Sequence, residues 1–251
     1  MSASVLKFDK VSKRYNSGDF WRPLKAQALV EVSFELRVGE VFGLVGLNGA
    51  GKSTLMKTAV GLLHPDEGGV ELFGSSPLDR NARRRLGYLP ELPWFPGYLS
   101  AAEVLTYYGR LHGMGGKALK ARVLQVLEQV GLAAAAQDPI RRYSKGMQQR
   151  VGLAQTLLHD PELLFLDEPM SGLDPLGMKE MRDVILDQRA AGKTVFFNSH
   201  VLLEVERICD RVGIMHRGRF LGAQPVADLV RGHRDLEAAV LAAIKHQDAH
   251  A

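Results

Sequence analysis

Between Gly46 and Thr54 the chain reads GLNGAGKST: two glycines four residues apart, Gly46 and Gly51, then Lys52, Ser53 and Thr54. This is the phosphate-binding loop pattern, and it constrains the fold because it has meaning only between a buried strand and a helix. Both flanks comply. Upstream, VFGLV at 41–45 is a short apolar run suited to a buried parallel strand; downstream, Leu55, Met56, Ala59, Val60 and Leu63 recur at helical spacing. In that setting the glycines let the backbone fold tightly around phosphate oxygens. The loop N–H groups and the helix N-terminus face the anion, and Lys52 adds a fixed positive charge. Gly46, Leu47, Asn48, Gly49, Ala50, Gly51, Lys52, Ser53 and Thr54 are thus the candidate nucleotide-binding set, with the Ser53 hydroxyl placed to ligate Mg2+. The pattern implies nucleoside triphosphate binding.

With 251 residues the chain is long enough for one large α/β domain or two small ones. No apolar run approaches the roughly 20 residues that span a bilayer, and MSASVLKFDK has no apolar core of a signal peptide. A cytoplasmic location is expected. The single cysteine, Cys209, sits among Val205, Ile208 and Val212 and reads as a buried small hydrophobe. A net charge of +4 permits an acidic partner, but the 32 basic and 28 acidic residues are dispersed, with no long basic block, and nucleic-acid binding is not expected.

Along the chain, residues 5–8 read as a strand, and Val30, Val32, Phe34, Leu36 and Val38 alternate with polar residues as a half-buried antiparallel strand does. Tyr15 lies between them, before a polar and aromatic loop, NSGDFWRPLK; it is either an amphipathic edge residue or an adenine-stacking ring. Residues 70–73 read as another strand. The stretch LGYLPELPWFPGYL at 86–99 holds three prolines and four aromatics and reads as an ordered, exposed loop, its aromatics either roofing a helical core or forming a docking patch. A helical insertion follows, in which Val123, Val126, Leu127 and Val130 share one face.

Three strand or turn ends then present polar groups. At YSKGMQQR, 143–150, Ser144 is an N-cap, or the start of a second phosphate-binding helix end. One chain needs only one such end, whereas two chains exchanging them need both. LLFLDE at 163–168 closes an apolar strand on Asp167 and Glu168, where ligands bind in open α/β sheets. Asp167 suits Mg2+, and Glu168 suits a general base that orients water. VFFNS at 195–199 delivers His200 in the same way, and Pro175 suits the first position of a helix after the turn SGLD. From Asp228 a helical tail is expected.

Taken together, these elements resemble the ATPase subunit of ABC transporters over about residues 5–222. The resemblance implies a P-loop NTPase of α/β class, with a mostly parallel core sheet, an N-terminal antiparallel β subdomain and an inserted α-helical subdomain. It implies one ATPase domain over 1–225, with the helical subdomain at about 92–160, and a short C-terminal helical tail over 226–251. Tyr15 becomes the adenine-stacking ring, 46–54 the Walker A loop and Glu91 the Q-loop position, near both the catalytic centre and the metal. Residues 143–147 become the signature, in which Ser144, Gly146 and Met147 face a nucleotide; Asp167 and Glu168 become the Walker B pair, 171–174 the D-loop and His200 the switch histidine. ATP and Mg2+ are the implied ligands. The implied partners are a second copy or a paralogous ATPase subunit in a head-to-tail dimer, and an integral membrane permease on whose cytoplasmic face the chain would sit.

The signature departs from the commonest Leu-Ser-Gly-Gly-Gln at Tyr143, Lys145 and Met147, and Glu91 stands where glutamine is usual. This combination is similar to the export-type branch with separate ATPase and membrane chains. A soluble ABC-type ATPase acting on ribosomes or DNA usually carries two ATPase domains or a long coiled-coil insertion, and neither is visible. A P-loop kinase or GTPase would have no use for the signature turn or His200.

Overall fold

The structure, a computed structural model, describes residues 4–17 and 24–249. A first sheet joins β1 (Ser4–Ser17), β2 (Leu24–Arg37) and β4 (Glu67–Leu72), all antiparallel, in the order β2-β1-β4. Both long strands run well into the loop expected at 16–25, whose centre, 18–23, lies outside the described residues. The alternation across β2 holds, with Val32, Phe34 and Leu36 buried, but the strand stops at Arg37 and leaves Val38 exposed beside the Gly39 turn.

The second sheet has six strands in the order β5-β6-β7-β3-β8-β9: β3 (Val41–Val45), β5 (Leu86–Leu89), β6 (Leu163–Asp167), β7 (Thr194–Asn198), β8 (Arg211–His216) and β9 (Arg219–Pro225). All neighbours are parallel except β8 and β9, which form a hairpin over Arg217 and Gly218. β5 is a correction to the loop reading of 86–99: the first four residues of that stretch pair with β6, and the irregular loop begins only at Pro90. Prolines end strands without preventing one just upstream.

Because side chains alternate across a strand, β3, β6 and β7 feed two cores. Val41, Val45, Leu164, Leu166, Val195 and Phe197 face the helices, while Phe42, Leu44, Leu163, Phe165 and Phe196 face the first sheet. On the latter side Phe34 stacks on Phe42 at 5.7 Å and on Phe8 at 4.9 Å between ring centroids. Each such ring, fully buried, stabilises the fold by about 1.5–3 kcal/mol relative to exposure.

The helices are α1 (Lys52–Ala59), the short α2 (Arg80–Arg84), then α3 (Ala101–Leu111), α4 (Gly116–Gln129) and α5 (Lys145–Leu157) of the insertion. α6 (Pro175–Ala190), α7 (Leu202–Ile208), α8 (Val226–Leu229) and α9 (Leu236–Ala249) follow. Ser100 opens α3 with a reciprocal capping box to Glu103, and Ser144 opens α5 by accepting from the Met147 amide. Asp174 caps α6 through the Gly177 amide, with Pro175 in the first turn. Leu236, Ala239, Val240 and Ile244 of α9 are buried, three of them in the same apolar cluster as the sheet.

Candidate functional site

The strand β3 ends inside the protein, and the chain must turn sharply to start α1. Gly46 has φ +153, and a Cβ there would lie 2.2 Å from the Met215 carbonyl oxygen. Gly51 has φ +103, and its Cβ would lie 2.4 Å from the Ala28 carbonyl oxygen. No side chain fits at either position. α1 opens on Gly51 with no side-chain cap and no acidic residue in its first turn. Its N-terminal amides therefore point into open space, an arrangement that suits an external anion.

Lys52 is buried, and its Nζ donates to the carbonyls of Gly46 (2.8 Å) and Leu47 (3.3 Å), curling the ammonium back over the loop. Burial pulls its pKa down, and the carboxylates of Glu168 and Asp167 pull it up again. Ser53 Oγ donates to Asp167 Oδ1 at 3.3 Å, joining α1 to the end of β6. Burial raises the pKa of Asp167, against hydrogen bonds from Asn198 and Ser53 that favour the carboxylate. A serine hydroxyl and a carboxylate side by side next to a basic loop are hard oxygen donors, the set that Mg2+ prefers. The site thus fits a triphosphate and its cation on chemistry and space.

Glu168 follows with φ +50, a left-handed conformation that costs a non-glycine residue about 1–3 kcal/mol. What holds it is Asn198 at the end of β7. Asn198 Oδ1 accepts from the Glu168 amide at 2.7 Å, while its Nδ2 donates to Asp167 Oδ1 at 2.6 Å. The turn aims the Glu168 carboxylate at His200, whose Nδ1 lies 2.7 Å and whose backbone N lies 3.2 Å from Oε2. Among the described residues no donor engages Oε1. Asn198 was missed in the sequence reading; the signal was there, a polar residue closing the apolar run at 195–197, and the β6–β7 register pairs it directly with Asp167.

A cleft of 410 Å3 brings these groups together, lined by Ala28, Asn48 to Thr54, Glu91, Glu168 and His200. Tyr15 flanks it, its hydroxyl 3.5 Å from Thr54 Oγ1 and its ring partly exposed at the start of α1. Ser144, Gly146 and Met147 do not line this cleft. They open α5 on another part of the surface, beside the 171–174 turn, where Leu173 packs against Gly146 and the Lys145 side chain crosses Gly172. That turn hangs from Glu168 itself, since the Ser171 amide donates to the Glu168 carbonyl at 3.0 Å.

The aromatic loop corrects the sequence reading in one respect. Trp94 is 81% exposed, but Phe95 is 8% exposed and belongs to the helical core. Two adjacent residues point opposite ways, so they cannot form one patch. The exposed large apolar side chains of this region are instead Leu92, Trp94 and Tyr98 of the loop and Tyr107 of α3. Cys209 packs its thiol against Gly43 of β3, and burial raises its pKa well above the ordinary thiol value, in keeping with the expected inert role.

Residues 29–171 match the family described as ABC transporter. Among curated proteins, the chain is 45% identical over 232 residues to the uncharacterized ABC transporter ATP-binding protein sll0415 of Synechocystis sp., an alignment covering 92% of this chain and 65% of that protein. It is 34% identical over 259 residues to the bacitracin transport ATP-binding protein BcrA of Bacillus licheniformis, covering 99% of this chain and 81% of that one. The chain thus spans about two thirds of the length of the first of these relatives. Among solved structures, an ATP binding subunit of an ABC transporter superposes with a TM-score of 0.83 at 30% identity, over 96% of this chain and 99% of the other.

Proposed function

This chain belongs to the ATP-binding family of ABC transporters, and from that premise we propose that it binds and hydrolyses ATP to energise transport by a separate membrane subunit. The observation that carries the proposal is the Glu168 carboxylate, held by His200 at the mouth of the cleft that Lys52 and the glycine loop enclose. In this reading the loop amides of 46–54 cradle the phosphates, Lys52 swings from the Gly46 carbonyl to neutralise them, and Tyr15 stacks on the base. Glu168 takes the proton of the attacking water on Oε1, its free oxygen, while His200 steadies Oε2. Bound Mg2+ neutralises phosphate charge, and Ser53, Asp167 and Glu91 are the residues that would hold it. Residues 1–225 form the ATPase domain, with the helical subdomain at about 92–160 inserted, and 226–251 the tail. Ser144, Gly146 and Met147, lying away from the cleft, serve the nucleotide of a second ATPase subunit in a head-to-tail dimer. The chain sits on the cytoplasmic face of a membrane against its permease; no helix among the described residues is long and apolar enough to cross one.

The test is Glu168→Gln, which keeps the shape and removes the base. ATP binding is expected to persist while turnover falls by about 10²–10⁴, and size exclusion with ATP and Mg2+ is expected to show a dimer. Wild-type turnover in this variant would remove Glu168 from the role.

A further inference from the structure

The phosphate-binding loop rests on the β8–β9 hairpin. The Gly218 amide at its tip donates to the Ala50 carbonyl (3.0 Å), and the Gly218 carbonyl accepts from the Val30 amide (2.8 Å). The Met215 carbonyl is the group that forbids a side chain at Gly46, and its Cε lies 3.3 Å from where a Cβ at Gly51 would be. The two loop glycines therefore face the hairpin directly, and its position sets theirs.

The hairpin is in turn held from outside by the last helix. α9 is anchored at its start, where the Leu236 amide donates to Glu206 Oε2 at 2.9 Å, and along its length by buried Val240 and Ile244. Fixed in this way across α7, it brings Asp248 in its last turn to the hairpin. Asp248 Oδ1 accepts from His216 Nε2 at 2.9 Å and from Arg217 at 3.0 Å. His216 is buried, and Arg217, with φ +47, is the first residue of the turn whose second is Gly218. An unbroken series of contacts thus runs from Asp248 through residues 216–218 to Ala50.

We propose that Asp248 is a positioning residue for nucleotide binding: through His216 and Arg217 it holds the hairpin tip that shapes the 46–51 loop, so the C-terminal helix tunes affinity for the triphosphate. The proposal rests on the ATP-binding reading and gives the tail a role in it. Asp248 touches no nucleotide; it removes alternative loop shapes that would otherwise have to be given up on binding.

The experiment compares Asp248→Ala, Asp248→Glu and Glu206→Gln in the full chain by equilibrium titration with a fluorescent ATP analogue, by hydrogen exchange of the Gly218 amide without nucleotide, and by thermal unfolding. For Asp248→Ala, Kd is expected to rise about three- to five-fold, the scale of one partly exposed ion pair. Gly218 is expected to exchange faster with almost no change in Tm, and Asp248→Glu is expected to restore both. Glu206→Gln, which loosens the opposite end of α9, is expected to lower Tm and leave Kd unchanged. Wild-type Kd and wild-type Gly218 exchange in Asp248→Ala overturn the proposal, as does a rise in Kd that Glu206→Gln reproduces, since α9 is then merely structural. Failure of the wild-type chain to bind the analogue overturns the ATP reading instead, and the Gly218 exchange measured without nucleotide then decides the latch by itself.

Discussion

The Asn198 side chain is bonded at both ends of its amide to the carboxylate-bearing turn: Nδ2 donates to Asp167 Oδ1 at 2.6 Å, and Oδ1 accepts from the Glu168 amide at 2.7 Å. It is fully buried, so neither bond has water as a substitute. Replacing it with alanine leaves the Glu168 amide unpaired in a left-handed turn. Asn198→Ala is expected to lose about 1–3 kcal/mol of stability in urea unfolding. Turnover is expected to fall further than that loss explains, because Glu168, the proposed base, is no longer aimed.

Lys52→Ala tests the loop. Among the described residues its ammonium donates only to loop carbonyls, those of Gly46 and Leu47, and to no carboxylate, so the fold does not depend on an ion pair there. Tm is expected to hold while ATP affinity drops by at least about tenfold, the scale of a lost charge-assisted contact, as measured by calorimetric titration.

The Ser144–Met147 turn, proposed to face the nucleotide of a second subunit, predicts a trans effect. A Cβ at Gly146 would lie 3.3 Å from Leu173 Cδ2, a tight contact that the end of the leucine side chain can relieve by a small shift, and φ there is not positive. Gly146→Asp is therefore expected to fold and to bind ATP as a monomer, yet to lose turnover. A monomer that cannot bind ATP would place this turn at its own chain's nucleotide and sink the head-to-tail arrangement.

Trp94 and Phe95 are expected to separate cleanly. Phe95→Ala removes a core ring and should cost about 3–5 kcal/mol of stability. Trp94→Ala, on an exposed ring, should leave Tm and ATP binding unchanged but weaken recovery of the chain with membranes holding the proposed membrane partner. Wild-type recovery would remove Trp94 from the docking surface.

A pH dependence follows from His112 and His159, whose rings stack with centroids 4.1 Å apart at the junction of α3 and the end of α5. His159 Nε2 donates to the Leu86 carbonyl at 2.8 Å, and among the described residues its buried Nδ1 has no hydrogen-bond partner. Burial lowers both pKa values, with Arg84 adding to the effect at His112; at His159 the Leu86 bond opposes it and His112 and Arg122 add to it. The unfolded chain therefore protonates first as pH falls. Stability from the pair is fully present above about pH 6.5 and is lost as pH drops from there through the lowered folded values. Denaturant unfolding from about pH 7.5 to about pH 5.5 should show a smaller loss for His159→Gln than for wild type.

Much of the site was legible in the sequence, because its signals are local. A glycine loop between an apolar strand and an amphipathic helix, and a carboxylate pair or a histidine after an apolar run, are decided by neighbouring residues and by where strand ends lie in a parallel sheet. Lys52, Ser53, Asp167, Glu168 and His200 accordingly come together. What only the tertiary structure decided depends on contacts between residues far apart in the chain. Asn198 matters through the β6–β7 register, Phe95 and Trp94 part ways because only one finds a helical core to enter, and β5 exists because β6 offers it a partner. The bracing of the glycine loop by a hairpin some 170 residues away, and of that hairpin by Asp248, leaves no periodic trace, because a single long-range hydrogen bond imposes no pattern on the residues around it.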